Sequence, residues 1–465
     1  MAHRTLSALI VVAVASLVFA CQLWPNSSPE DEDQPDPAPQ QQQGDSTLVD
    51  WQAPFDVAVG DAFRGPWRMN DSEFHYVDDP GVAIGDNGDI HMVWVDNEQQ
   101  DAFYRRFGAD GDSPMDEPAN ISNSPDIFSW LPMVAPSSVD DDTVYVLWQE
   151  IIFRPGGGHG GEILFSRSQD GGETFEEPTN LSDTVAGAGK GRLTPDRWNN
   201  GSLDMVVGPE DELYVAWTEY EGALRFARSD DGGESFEEPR HIVGDDQQPA
   251  RAPTLALAPD GRLILAWTMG QDPEADILLT ASDDGGESFQ QVSTPVETPA
   301  HSDAPQLAVD DEETVHLVFS DSPDGLFERY RVLHTYSTDR GASFEAPTEV
   351  SETDEDADSA NFPSLAVDGN RVFITWEYYP DYRYRPLGLG FAASDDRGES
   401  FEPASFVPGT DDEDLGISGG LQGMLMRKLD ADDGLLVVGH SHFLDNEVSR
   451  VWVTPGSFEP PVASQ

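Results

Sequence analysis

The chain has 465 residues and carries 88 Asp and Glu against 25 Lys and Arg, a formal net charge of −63. Acids on this scale, spread through the sequence rather than gathered in a tail, argue against nucleic acid as a partner and point to a halophilic surface whose self-repulsion molar salt would screen. Cys21 is the single cysteine, which excludes a disulfide framework and a thiolate metal site.

Residues 1–21 have the order of a secretory leader: His3 and Arg4, then an apolar stretch from Leu6 to Phe19 that is short for a membrane span. Val18-Phe19-Ala20-Cys21 resembles a bacterial lipobox. That resemblance implies lipidation at Cys21 and an extracytoplasmic, membrane-anchored lipoprotein. Residues 22–46 are rich in Pro, Gln and acids, a composition that predicts a disordered tether. Residues 47–458 read as one large all-β domain.

Within that domain a module recurs. A short run follows a proline or a polar stretch, as at Pro80-Gly-Val-Ala-Ile, Pro253-Thr-Leu-Ala-Leu, Pro305-Gln-Leu-Ala-Val and Pro363-Ser-Leu-Ala-Val. A second run alternates toward an aromatic at Trp94, Trp148, Trp217, Trp267, Phe319 and Trp376. Period-2 runs of this length, with turn residues between them, predict antiparallel strands. A third run precedes the octapeptide Ser-x-Asp-x-Gly-x-(Ser/Thr)-Phe, and a fourth begins at its Phe. The octapeptide stands at 168–175, 229–236, 282–289, 337–344 and 394–401, with a decayed copy at Asp110-Gly111-Asp112-Ser113. Its Asp and hydroxyl side chains can bond the turn's own backbone, and its Gly permits positive φ. It is a folding device, not a metal site.

These five octapeptides resemble the Asp-box, or BNR repeat, of the sialidase-like β-propellers. Four strands per module, repeated radially, make a propeller blade. Six modules run from Pro80 to about Pro408, and a seventh begins at Leu421 and stops after the strand at 449–453. Trp51-Gln-Ala-Pro-Phe-Asp-Val-Ala-Val-Gly reads like the missing outer strand. A seven-bladed propeller closed by an N-terminal strand is therefore expected, with a six-bladed sialidase-type ring as the alternative.

Blade topology sorts the loops onto two ends. The octapeptide turns share one end with the loops between first and second strands. The other end collects Arg64, Trp67, Arg68, Arg154, His159, Lys190, Arg192, Arg197, Trp198 and Arg251, with Glu219, Tyr220, Arg329, Arg331 and the run from Glu377 to Arg385. Arginines among Trp and Tyr suit a carboxylate-bearing sugar, through bidentate contacts and flat stacking surfaces. Local pairing with the abundant acids is the competing reading.

The resemblance also implies what a catalytic member needs: an arginine triad for a sugar carboxylate, a Tyr nucleophile with a Glu partner, and an Asp acid. The family's first arginine falls where this chain has Asp78-Asp79-Pro80-Gly81, so a full triad cannot be placed. Tyr382, Tyr378 or Tyr379 with Glu377 or Glu219 would supply nucleophile and base. Asp78 or Asp79 would be the acid, and Arg251, Arg192 or Arg197, and Arg383 or Arg385 would be the carboxylate ligands. Recognition of an acidic glycan without turnover is the main expectation. An exo-α-sialidase or related glycoside hydrolase is the alternative, and a protein-interaction scaffold stands third. No cofactor is implied, and a monomer is expected. His440 and His442 share a strand face but lack a third ligand.

Overall fold

The computed structural model describes residues 46–460, apart from 67–69, 125, 155–157, 185–186, 195–196, 201, 271–274, 300, 326–327, 354–357, 381–385, 413–416, 420–426 and 445. At 152–154, 158–160, 190–194, 197–200 and 417–419 only the backbone is described. The leader, Cys21 and residues 22–45 of the tether lie outside the described residues.

Seven antiparallel sheets stand in a ring, and no helix occurs among the described residues. The inner strands are Val77–Ile84, Ser129–Pro136, Leu203–Val207, Ala250–Leu257, His301–Val309, Ser359–Asp368 and Leu429–Asp432. Each touches the next, and the last touches the first, so the ring is closed. The middle strands are the most buried because both faces meet neighbouring blades. Trp148, Trp217, Trp267 and Trp376 are fully enclosed there.

Blade 7 is completed by the N-terminal segment. Phe55–Gly60 and Asp50–Trp51 both pair with Val448–Ser457, while Leu435–Leu444 lies on that strand's other side. The outer strand read at residues 51–60 is thus in place, and it covers an edge that would otherwise lie open. One detail differs from the sequence reading. The inner edge of blade 7 is Ile417–Gly419 together with Leu429–Asp432, both paired to Leu435–Leu444. The start read at Leu421 lies outside the described residues. The fourth strands are also shorter than the sequence suggests, down to Ala119–Asn120, Thr179–Asn180 and, in blade 4, a single bridge between Leu279 and Ser293.

The octapeptide turns share one bonding scheme. In the first, Ser168 Oγ donates to Asp170 (2.8 Å), and Asp170 accepts from Thr174 N (2.8 Å) and Thr174 Oγ1 (2.6 Å). Equivalent bonds recur around Asp231, Asp284, Asp339 and Asp396. These hydrogen bonds hold the Asp284 and Asp339 carboxyls down at about 2. Each carboxylate is used by its own turn.

Inner strands carry a second regular feature. Asp79, Leu131, Ala252, Ala304 and Phe362 have φ between 49° and 54°, each immediately before a proline. Each coincides with a register shift against the middle strand. Such bulges bend the strand and re-aim the residues beside them. They lie at the end of the ring opposite the octapeptide turns, here termed the mouth.

Candidate functional site at the mouth of the propeller

One side of the mouth is roofed. Residues 61–66 and 70–76 lie between the outer strand of blade 7 and the inner strand of blade 1, and Asn70 reaches blade 2. Ala62 O accepts from Asn446 N (3.0 Å), Gln100 Nε2 donates to Asn70 O (3.1 Å), and Asn70 Nδ2 donates to Ile151 O (2.9 Å). Phe74 packs on Phe128 and Tyr76 on Phe443, so the strap is sealed by aromatic contacts. Arg64 sits over the Tyr76 ring, 5.8 Å from its centroid. At blades 2 and 3, Val144–Arg154 and Gly158–Ser168 form an extended hairpin. Next to it, Lys190–Thr194 and Arg197–Asn200 form a second, with Arg192 opposite Trp198.

The charged groups of blades 4 to 7 meet in pairs. Arg251 Nε lies 3.3 Å from Asp303 Oδ2, and its Nη1 donates to Gly270 O (3.1 Å). Asp303 also accepts from Thr268 Oγ1 (2.7 Å) and Ala304 N (2.8 Å), with His301 Nε2 at 3.8 Å. Burial opposes ionisation of Asp303, but Arg251, His301 and Thr268 outweigh it and hold its carboxyl well below the usual range. Arg331 pairs with Asp321 at 2.9 Å, where burial still pushes the carboxyl up.

A triad built on a buried ion pair joins blades 6 and 7. Lys428 Nζ lies 2.8 Å from Glu377 Oε1, and Tyr379 OH donates to Glu377 Oε2 at 2.7 Å. Lys428 and Glu377 are 2 % and 1 % exposed, so the pair is desolvated. Burial and the Glu377 charge push the Tyr379 phenol well above its ordinary value. Deeper in, Arg427 of blade 7 reaches across the ring to Asp204 of blade 3 (2.9 Å) and Leu255 O of blade 4 (3.0 Å). Asp430, pushed up to about 6 by burial, accepts from Ile84 N of blade 1 (2.8 Å). The axis is therefore bridged by charge below the mouth.

Several residues singled out from the sequence have different work. Asp78 is 1 % exposed and accepts from Ser441 Oγ (2.7 Å), stitching blade 1 to blade 7. Asp79 is equally buried, on the first bulge. Neither is an acid presented to solvent. Tyr378 points to the opposite face from Tyr379 and packs edge-on against Phe406 (5.0 Å). Glu219 pairs with Arg225 (3.1 Å), and Tyr220 OH accepts from Gly161 N (2.9 Å). Tyr382, Arg383, Arg385, Trp67 and Arg68 lie outside the described residues. For Arg192, Arg197 and Trp198 only the hairpin position is established. The structure brings together Glu377 with Tyr379, and Arg251 with Asp303. Sequence reasoning missed Lys428, Arg427, Asp204 and Asp430. Lys428 carried a signal, being one of only two lysines in the chain.

His440 and His442 pack against Trp452, with ring centroids 5.6 and 4.4 Å away. Burial pushes both imidazoles down, His442 to about 4. No group of three metal-ligating side chains occurs among the described residues.

No family model matches the chain, and no curated protein matches it. Solved structures do. Polysaccharide lyase Uly1 is 12 % identical, with a TM-score of 0.54 over 88 % of this chain and 100 % of that one. An ulvan lyase of family PL25, bound to a glucuronate–rhamnose-3-sulfate ligand, is 11 % identical, with a TM-score of 0.53 over 86 % and 95 %. The NanB sialidase of Streptococcus pneumoniae is 12 % identical, with a TM-score of 0.43 over 70 % and 68 %. The class defined by fold is a seven-bladed β-propeller, whose structural neighbours include glycan-active enzymes.

Proposed function

We propose that this propeller is an extracytoplasmic lipoprotein that binds an anionic glycan at its mouth. One observation carries the reading. In a chain of net charge −63, two adjoining hairpins place Arg154, Lys190, Arg192 and Arg197 at the mouth. Among the acids at the mouth, Asp303, Asp321 and Glu377 have cation partners. A polyanion approaching those hairpins meets four basic positions, while the acidic surface elsewhere repels it. Two structural neighbours with TM-scores above 0.5 are polysaccharide lyases, which adds support for a uronate-bearing polymer.

Two further readings have their own observations. The Tyr379–Glu377 contact favours a glycoside hydrolase of sialidase type. The salt bridge from Lys428 opposes it, because a carboxylate already neutralised is a weaker base for the phenol. Internal pairing of Arg251, Arg331 and Arg427 favours a protein-interaction scaffold. The test is sedimentation with a polyuronate, a sialylated glycan and a neutral glucan in molar KCl, with released reducing ends and unsaturated products followed in parallel. Retention of the acidic glycans alone is expected, lost in Arg192→Ala/Arg197→Ala. Equal retention of neutral glucan, or none at all, would overturn the binding reading. Turnover abolished by Tyr379→Phe would replace it with the hydrolase.

A further inference from the structure

The octapeptide end is built on one repeated packing unit. The second residue of a middle strand and a ring of the third strand stack together, and the Phe that ends the next blade's octapeptide sits on them. Tyr145, Phe165 and Phe236 do this in blade 2, with Phe165–Phe236 at 4.9 Å. Tyr214, Phe226 and Phe289 do it in blade 3, with Phe226–Phe289 at 5.1 Å. Blade 6 uses Phe373 and Phe391 under Phe458. In blade 5 the two rings are imidazoles, His316 and His334, stacked at 5.5 Å under Phe401 of blade 6. Both are buried, and His316 Nδ1 lies 3.3 Å from His334 Nε2.

We propose that the seam between blades 5 and 6 is an acid-sensitive latch, closed at neutral pH and loosened as pH falls. One proton fits between the two rings. The neutral pair holds its other proton on an outer ring nitrogen. A further proton that would charge the pair has little to receive it at His334, because that ring is covered by Phe401 and by Gly398, where even a Cβ would collide with it. The charged and titratable neighbours are few. Asp310 stands 3.7 Å from His316 Nε2, but Arg397 already engages it at 2.9 Å and also binds Asp311 and Glu312. Tyr336 flanks both rings, and Glu345, Asp396 and Glu399 act on Tyr336 from the surface.

The sign follows from burial. Desolvation and the adjacent His316 hold the His334 imidazole well below its ordinary value in the closed seam. An opened seam takes up a proton that the closed one refuses, so the closed form loses stability as pH falls below about 6.5. The consequence concerns the mouth. Blades 5 and 6 carry Asp303, Asp321, Glu377 and Tyr379, so a loosened seam disturbs that side of the mouth, beside the hairpins of the proposed glycan site, and this regulatory role rests on that reading.

Hydrogen exchange on the full chain in molar KCl tests the latch without any ligand. Between about pH 7.5 and about pH 5.5, after correction for intrinsic exchange, amides of 331–337 and 371–379 should lose at least about tenfold more protection than those of 213–218. The double variant His316→Tyr/His334→Phe installs the rings found in blade 2 and should remove that difference. His334→Gln, which keeps a polar side chain but does not titrate, should also remove it if the double variant fails to fold. Parallel loss in all blades of the wild type, or a pH dependence that survives in the variants, would overturn the proposal. Failure of glycan binding leaves this readout intact.

Discussion

The two ends of the propeller solve the same problem differently. Both must hold neighbouring blades together in a chain whose acids repel one another. At the octapeptide end the solution repeats. Arg167 Nη1 donates to Gly232 O (2.8 Å) and Arg228 Nη1 to Gly285 O (3.0 Å), each crossing to the next blade's turn. Arg106 likewise lies beside Gly171 of the next blade's turn. Where the residue before the octapeptide is Ala281 or Tyr336, the next turn supplies the cation itself. Arg340 reaches back to Asp260, and Arg397 to Asp310. These two arginines take the left-handed position that Gly171, Gly232 and Gly285 fill elsewhere, with φ of 63° and 59°. One arginine thus serves each of these seams, from one side or the other. At the mouth no such rule holds. Its pairs, Arg251–Asp303, Arg331–Asp321 and Lys428–Glu377, join different elements in different ways. A repeated end is built for closure, and a non-repeated end is free to be a site.

Breaking the mouth should cost most where charge is fully buried. Lys428→Met leaves Glu377 desolvated and without its cation, and a loss of about 3–5 kcal/mol is expected in chemical denaturation. Lys428→Met/Glu377→Gln should recover most of it. Equal losses in the single and double variants would mean that the pair is not electrostatically coupled.

The octapeptide end offers an internal control. A Cβ at Gly172 would fall inside the Tyr104 ring, whereas at Gly341 the nearest atom is Leu279 Cδ2, at 3.9 Å. Both glycines have positive φ, so both alanine variants suffer about 1 kcal/mol of backbone strain. Only Gly172→Ala adds the overpacking term of about 1–3 kcal/mol. Matching thermal midpoints for the two variants would contradict the idea that the Gly172 turn is seated on the preceding blade's ring.

The smallest effect sharpens the arginine rule. Arg228 is 13 % exposed in its side chain and Arg340 is 46 % exposed. Arg228→Ala should cost about 1–2 kcal/mol through its buried bond to a backbone carbonyl. Arg340→Ala should cost under about 1 kcal/mol, and less still in molar salt. A reversed order would place the strength of the seams in surface charge.

Much of this was legible in the residues. The octapeptides, the alternating runs and the fragment at 51–60 already gave seven blades and their closure, because hairpin bonding and period-2 burial are local properties. The sorting of loops onto two ends followed from blade topology. The site was only partly legible. Glu377 and Tyr379 are two residues apart on one strand, so their contact is a matter of alternation. Asp78 read as an exposed acid because its partner, Ser441, is 363 positions away in sequence.

The sequence by itself determined the blades that are built from one continuous stretch of chain, since the strands and octapeptide turn of each are neighbours in sequence. Blade 7 is the exception, because its outer strand comes from the other end of the domain. Ring closure decided the rest. Only when blade 7 meets blades 1, 3 and 6 does Arg427 find Asp204 and Lys428 find Glu377. Nothing local forecasts those contacts, because burying a charge is costly until a partner from another blade arrives to offset it. The same holds for His316 and His334, which are ordinary polar residues in the repeat until Phe401 of the next blade closes over them.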